Sequence, residues 1–218
     1  MNDIQESNRH IFVDNKIPNP YHHIPLLKAE FAKYRQISLT QDSEEKMGFA
    51  ISPMWGHYSE KGNGICLVFD KDRITEKLQH NEYFGLISYD NEYTGAVICN
   101  QSNIDNWFQN NHKEIFFHKS KEWSYEQEFR IVKRCSSNDD KWEFLNFEDA
   151  LIAVIMCYAP GVSHDHSVFC SENYENLTGL TNVPILGYGC FSNDFGLMGR
   201  DGNSVWSSNE IDISTIDV

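Results

Sequence analysis

The spacing of hydrophobic and polar residues along the chain predicts more strands than helices. The strongest apolar run, at residues 65–70, predicts a strand buried on both faces at the centre of a sheet. Shorter runs predict strands at 10–13, 35–40, 83–89 and 95–99, and two further apolar segments at 142–147 and 151–158. Helices are predicted at 26–34, 71–80 and 103–112, with Asp70 or Asp72 available to cap the second.

A regular alternation of polar and apolar residues begins at Glu126. This period of two places Glu126, Glu128 and Arg130 on one face of a strand, and Phe129 and Ile131 on the other. The two carboxylates would then be about 7 Å apart on the same face. They would be close enough to act on one substrate.

Together these elements predict an α+β fold. We expect a single domain with a twisted, mixed and mainly antiparallel β-sheet and a few flanking helices. Residues 1–34 predict an irregular N-terminal arm with a short helix, and residues 35–218 the single α+β domain. The stretch after Gly187 is rich in Gly, Ser, Asn and Asp, which predicts mostly loop.

Composition narrows the class of partner. The chain has 218 residues, 40% of them hydrophobic and 23% charged, which is enough apolar material for a core. Its 18 basic and 32 acidic residues give a net charge of −14. An acidic chain gains no counterion-release attraction to nucleic acid, so nucleic acid is expected only at a local basic patch.

The sequence also predicts a cytoplasmic protein without membrane contact. Its longest apolar stretch is far shorter than the roughly 20 residues of a membrane span, and the first ten residues are polar, unlike a signal peptide. The 6 cysteines lie singly, without a C-x-x-C pair, so we expect reduced and mostly buried thiols. His164 with His166, and His22 with His23, are too few ligands for a metal site, and no metal is expected.

The first candidate site is the run Met-Trp-Gly-His-Tyr at residues 54–58, just before a glycine turn and the apolar strand. A histidine and a tyrosine at a strand edge can hydrogen-bond a ribose and stack on a flat ring, and His57 can exchange a proton near neutral pH. The alternative is structural, with Trp55 in the core and His57 on a backbone carbonyl.

The second candidate site is Glu126-x-Glu128-x-Arg130, which follows Trp123 and Tyr125. One carboxylate of such a pair can orient a nucleophile while the other stabilises the cationic sugar that forms as a glycosidic bond breaks. The alternative is that Arg130 pairs with Glu128 in a row of ions that has a structural role.

A local group of cations flanks this second site. Lys119 and Lys121 precede it, and Lys133 and Arg134 follow it. These side chains suggest either a cationic patch that binds a phosphate-bearing ligand or the solvated end of a strand.

With these motifs the chain resembles a bacterial family of unknown function that is similar to the abortive phage-resistance protein AbiGi. The matching residues are Ile-Ser-Leu-Thr at 37–40, Met-Trp-Gly-His-Tyr at 54–58, Gly-Ile-Cys-Leu-Val-Phe-Asp at 64–70, Phe-His-Lys at 117–119 and Trp-Ser-Tyr-Glu-Gln-Glu-Phe-Arg at 123–130. The resemblance implies a role in anti-phage defence or a related toxin–antitoxin setting, with a protein partner. It implies no settled reaction.

A weaker analogy links the second motif to ADP-ribosyltransferases, whose Glu-x-Glu opens a strand. It implies NAD as a possible substrate, and it identifies no bound cofactor. In that role Glu128 would stabilise the oxocarbenium-like centre, Glu126 would orient the acceptor and His57 would act near the ribose. The ligand-binding residues would be Trp55, Tyr58, Lys119, Tyr125 and Arg130.

Two hypotheses of function follow. The first is an NAD-using ADP-ribosyltransferase or NAD glycohydrolase, and the second is a non-catalytic interaction, antitoxin-like or sensor subunit in which the same residues form one packed network. We also predict that Trp55, Tyr58, Trp123 and Arg130 lie in one cluster. Convergence of His57, Tyr58 and Glu128 on one open cleft would favour the enzyme, and their convergence in a sealed core would favour the structural role.

Overall fold

The computed structural model describes residues 11–13, 23–59, 64–90, 96–98, 104–135, 144–157, 176–179, 182–191, 194–198 and 204–207. The chain divides into two compact units, each made from two stretches of sequence. The first unit contains Met1–Gly48 and Leu78–Leu145, and the second contains Phe49–Lys77 and Asn146–Val218.

The strands, in chain order, are β1 (Ile11–Val13), β2 (Tyr34–Thr40), β3 (Ile65–Phe69), β4 (Glu82–Leu86), β5 (Ser88–Tyr89), β6 (Ala96–Ile98), β7 (His118–Lys119), β8 (Glu128–Arg134), β9 (Leu151–Cys157), β10 (Ile185–Phe191), β11 (Asp194–Met198) and β12 (Ser204–Ser207). The α-helices are α1 (His23–Phe31), α2 (Ser52–Tyr58), α3 (Lys71–Glu76), α4 (Ile104–Asn110) and α5 (His112–Phe116). Three short 3₁₀ helices cover Gly48–Ala50, Lys121–Glu126 and Glu148–Ala150.

The first unit is built on a three-stranded antiparallel sheet in the order β2-β8-β4, so β8 has a partner on each side. Two short parallel pairs, β1 with β6 and β5 with β7, complete its strands as described. One face of the three-stranded sheet joins the helices in an aromatic core, where the Tyr34 ring lies 4.7 Å from the Phe116 ring and 5.8 Å from the Phe108 ring. Burial of these large rings fixes the helices on that face.

The second unit is built on a five-stranded sheet in the order β12-β11-β10-β9-β3. β9 and β10 run parallel, and the other pairs are antiparallel. Asp70 caps α3 as expected, because its carboxylate accepts a hydrogen bond from the Arg73 amide at 3.0 Å.

The α+β class with mixed, mainly antiparallel strand pairing is confirmed. The strands are divided among separate sheets. The predicted boundary between an N-terminal arm ending at residue 34 and a following domain stays a prediction. The prediction of a central, fully buried strand at 65–70 is wrong. β3 is the last strand of the sheet as described, and Ile65 and Leu67 are each 43% exposed. A continuous apolar run is therefore not enough to place a strand at the centre of a sheet.

Two further local predictions are wrong. Residues 54–58 lie in helix α2 rather than at a strand edge, and this helix has Pro53 in its first turn, where proline suits a helix. The stretch after Gly187 contains most of β10 and all of β11 and β12 instead of loop. β10 pairs with β9, β11 with β10 and β12 with β11, and composition alone does not indicate this pairing.

The structure describes some of the cysteines and histidines for which the sequence predicts a role. Cys135 is a buried thiol, and Cys66 and Cys157 are half-buried thiols. His22, His164 and His166 lie outside the described residues. Within the described ranges, no three His, Cys, Asp or Glu side chains are grouped so as to hold a metal ion. A search of the same residues finds no helix long and apolar enough to span a bilayer.

Candidate functional site

Four charged side chains of the first unit meet in its interior, and we call them the buried charge cluster: Lys119, Glu126, Glu128 and Arg130. Their side chains are only 2% to 4% exposed. Lys119 ends β7, Glu126 ends a 3₁₀ helix, and the other two lie on β8. Ionised groups at this depth are stable only when each is paired.

Every member of the buried charge cluster has an oppositely charged neighbour. The Lys119 ammonium lies 2.6 Å from Glu126 Oε2 and 3.4 Å from Glu128 Oε2. Arg130 Nε donates to Glu128 Oε1 at 2.7 Å. Each oxygen of Glu128 therefore faces a cation, and the two positive and two negative charges of the cluster cancel.

The turn at Gln127 brings the two glutamates together. Gln127 has a φ of 48°, in the left-handed region, and its amide donates to the Ser124 carbonyl at 3.2 Å. This turn ends the 3₁₀ helix and starts β8, so the prediction that Glu126 lies on the strand is wrong. A residue other than glycine at such a φ costs about 1 kcal/mol or more, so neighbouring contacts must hold the turn.

Hydrogen bonds from other elements hold the start of β8. Arg130 Nη1 donates to the Phe116 carbonyl at 2.5 Å, which ties the strand to the end of α5. The Glu128 amide donates to the Tyr89 hydroxyl at 2.8 Å, and the Ser38 side chain hydrogen-bonds the Glu128 carboxylate. Burial raises the pKa of Tyr89 to about 12, so its phenol stays neutral.

The cluster sets the ionisation of Glu128. Burial by itself would raise the pKa of this carboxyl, but the hydrogen bond and charge of Arg130, with Ser38 and Lys119, outweigh it. The pKa of Glu128 is therefore held below its ordinary value, and the side chain is an anion at neutral pH.

The aromatic residues before Glu126 border the cluster. The Lys119 ammonium lies 5.0 Å from the centroid of the Trp123 ring, a cation–π distance. The Tyr125 ring lies 6.0 Å from that of Trp123, and burial raises the pKa of Tyr125. Both rings are half-buried.

The residues of the first motif belong to the second unit. Trp55 is buried there, its indole donates to the Phe49 carbonyl at 2.6 Å, and its ring stacks on Tyr188 with centroids 5.9 Å apart. His57 and Tyr58 are exposed at the end of α2. Trp55 thus has the core role that the structural alternative gave it. That the two motifs form one cluster stays a prediction.

Three of the four flanking cations face carboxylates, whereas Lys121 is exposed. Lys119 is inside the buried charge cluster, and Lys133 lies 3.7 Å from a Glu82 carboxylate oxygen. Arg134 pairs with Glu30 at 3.2 Å and with Asp105. Carboxylates from other elements thus neutralise cations whose partners cannot be identified from the sequence alone.

Sequence reasoning missed Tyr89, Ser38 and the Phe116 carbonyl as contacts of the second motif. Tyr89 is 39 positions from Glu128, and Ser38 lies on β2, which pairs with β8. For the Ser38 contact there was one sequence signal, the Ile-Ser-Leu-Thr run at 37–40. This run is part of the family resemblance, but it carries no charge.

Comparison with known proteins places the two motifs in one matched region. The model of a family described as protein of unknown function (DUF2971) matches residues 54–131. This region resembles an uncharacterised family. The match covers about a third of the chain, begins within the first motif and ends one residue after Arg130. No curated protein and no solved structure matches the chain significantly.

Proposed function

We propose that this protein acts in the bacterial cytoplasm in anti-phage defence, of the abortive-infection or toxin–antitoxin type, as a non-catalytic interaction subunit with an antitoxin-like or sensor role. The defence setting rests on the motif resemblance. The non-catalytic role rests on one observation: both carboxylates of the second motif are sealed in a charge-neutral cluster.

Charge balance is the main argument against glycosidic catalysis at Glu128. A carboxylate that stabilises a sugar cation must present unneutralised negative charge where that cation forms. Glu128 instead lies between Lys119 and Arg130, and its side chain is 3% exposed. A sugar cation at this position would be repelled by the positive charges of Lys119 and Arg130.

An NAD-using ADP-ribosyltransferase or NAD glycohydrolase is the second candidate. The observation that favours it is that Glu128 is the first residue of β8 and is held as an anion, as the analogy with Glu-x-Glu enzymes requires. In that case Lys119 and Arg130 would have to turn away to admit a ribose. The two candidates differ in whether the cluster opens.

The test is to incubate the purified chain with NAD, with and without the products of neighbouring genes, and to measure NAD loss. We expect none above the buffer control. The proposal fails if NAD is consumed and if Glu128→Gln lowers that rate by about 10²–10⁴ without unfolding the protein. Glu122→Gln is the matched control, because it makes the same chemical change at an exposed site in the adjacent 3₁₀ helix.

The defence setting has its own test. Cells that express the gene together with its neighbours are challenged with phage, and plating efficiency is compared with cells that lack it. We expect fewer plaques with the complete set of genes. Equal plaque numbers would reject the defence role whatever the outcome with NAD.

A further inference from the structure

Three members of the buried charge cluster can react with one another. Lys119 Nζ lies 2.6 Å from Glu126 Oε2 and 3.4 Å from Glu128 Oε2. Amide formation between two side chains needs an amine as nucleophile, a carboxyl carbon that it attacks, and a group that moves protons. The cluster brings one group of each kind together inside the first unit.

Burial favours a neutral amide over an ion pair at this position. The side chains of Lys119 and Glu126 are 3% and 4% exposed, and the Trp123 ring lies 5.0 Å from Nζ. Burial removes water from around both charges, so the ion pair carries a desolvation cost that an amide does not carry. Low access of water also opposes hydrolysis of an amide once it has formed.

The backbone holds both reacting groups in contact. Lys119 ends β7, whose two residues pair with β5. Glu126 ends the 3₁₀ helix directly before the turn at Gln127, and the Gln127 carbonyl accepts a hydrogen bond from the Gln41 amide at 2.9 Å. Two groups held in a reactive arrangement behave as if their concentration were about 10⁵–10⁸ M. A condensation that free side chains in water do not undergo is therefore accessible here.

We propose that Lys119 and Glu126 condense to form an isopeptide bond between Lys119 Nζ and Glu126 Cδ. The ammonium first gives a proton to Glu126 Oε2, which leaves a neutral amine and a neutral carboxylic acid. The amine then attacks Cδ, so that the C–N bond forms and the C=O double bond opens to an oxyanion. A second proton passes from Nζ to the Glu126 hydroxyl group, the C=O bond closes again, and the C–O bond breaks to release one water molecule. The reaction needs no oxidant and no co-reactant.

Glu128 is the group that carries the second proton. Its Oε2 faces Lys119 Nζ, and its Oε1 is held by Arg130 at 2.7 Å. Glu128 takes the proton from Nζ as the C–N bond forms, gives it to the departing hydroxyl group and returns to its ionised state. Condensation removes one positive and one negative charge, so Glu128 and Arg130 remain as a neutral pair.

The bond ties the end of the 3₁₀ helix to the end of β7. It gives the Gln127 turn, with its φ of 48°, a covalent support next to the strained residue. The reaction takes place once within the chain and acts on no external substrate. It therefore goes beyond the proposed interaction role and does not depend on it.

Mass spectrometry of the purified full chain tests the proposal. We expect an intact mass lower than the mass of the sequence by one water molecule. Trypsin cuts after lysine and arginine, so a chain without the bond gives residues 114–119, 120–121 and 122–130 as separate peptides. With the bond, Lys119 is not a cleavage site, and residues 114–121 are recovered joined to residues 122–130.

Variants identify the reacting groups. Lys119→Arg keeps the positive charge but has no primary amine, so it should have the full mass of its sequence. Glu126→Gln should end at the same mass as the wild type, because condensation of the amide releases ammonia and leaves the same product. Glu128→Gln should slow bond formation in freshly synthesised chain by about 10²–10⁴-fold. Lys121→Arg and Glu122→Gln change exposed neighbours and should lose water as the wild type does.

Two results would overturn the inference. One is a folded wild-type chain, checked by circular dichroism, that keeps the full mass of its sequence after several days at neutral pH. The other is a loss of water that persists in Lys119→Arg or maps to other residues. The first result is measured on the wild type, so it does not depend on whether any variant folds. Either result would leave the non-catalytic role standing, since that role fails only if the chain consumes NAD.

Discussion

Replacing Glu128 by glutamine tests whether the buried charge cluster stabilises the fold. The substitution keeps the size of the side chain but removes one negative charge from a cluster whose charges cancel. It leaves Lys119, Glu126 and Arg130 with one uncompensated positive charge inside the first unit. The amide also has one acceptor oxygen where the carboxylate has two, so an NH₂ donor must face Arg130 or Lys119.

The expected loss is large because the charged side chains of the cluster are buried. Removing one partner of a buried ion pair costs about 3–5 kcal/mol of unfolding free energy, since the other charge stays buried without compensation. For a chain of this size that corresponds to a fall in Tm of about 6 to 20 °C. Glu122→Gln in the neighbouring exposed turn should change the stability by less than about 0.5 kcal/mol.

A second substitution shows whether charge balance is the cause. Lys119→Met in the Glu128→Gln background leaves Glu126 and Arg130, whose charges again cancel. The double variant should therefore be more stable than the sum of the single changes by about 1–3 kcal/mol. Urea unfolding followed by tryptophan fluorescence and circular dichroism measures all four proteins of this cycle. Strict additivity, or a Glu128→Gln protein as stable as Glu122→Gln, would refute the reasoning.

The remaining predictions concern neighbouring contacts and pH. Folding lowers the pKa of Glu128, so the ionised side chain stabilises the fold fully above the ordinary carboxyl pKa of about 4.3, and this stabilisation is lost as pH falls through the lower folded pKa. The Tm difference between wild type and Glu128→Gln should therefore shrink in acid, and a constant difference would contradict this. Tyr89→Phe removes the acceptor of the buried Glu128 amide and should cost about 1–3 kcal/mol in urea unfolding, with no loss if water replaces the hydroxyl. Asp70→Ala removes the α3 cap and should cost about 0.5–2 kcal/mol, whereas Asp72→Ala should cost less.

Local signals predicted several features correctly. The cap by Asp70 depends on an amide three residues away, so the order of residues is enough to predict it. The pairing of Glu128 with Arg130 follows from their separation by two on a strand, and it was one of the two alternatives that the pattern left open. Both contacts join residues that are close in sequence.

The helix at residues 52–58 shows where a local pattern misleads. Met-Trp-Gly-His-Tyr is too short to show a period, and glycine and aromatic residues suggest a strand end. In the structure, Pro53 starts the helix, and Trp55 is fixed by Phe49 and Tyr188. Tyr188 is remote in sequence, so this packing has no local signal.

The sequence by itself determined the α+β class, and it offered the cap of α3 and the ion pair at the start of β8 among its alternatives. The cap and the ion pair each depend on side chains within a few positions of one another, where backbone geometry fixes the distance. Only the tertiary structure shows that Lys119 lies against both glutamates and that β3 is the last strand in its sheet as described. These features depend on strand order and on contacts between distant segments, which long-range burial and pairing select rather than local preference.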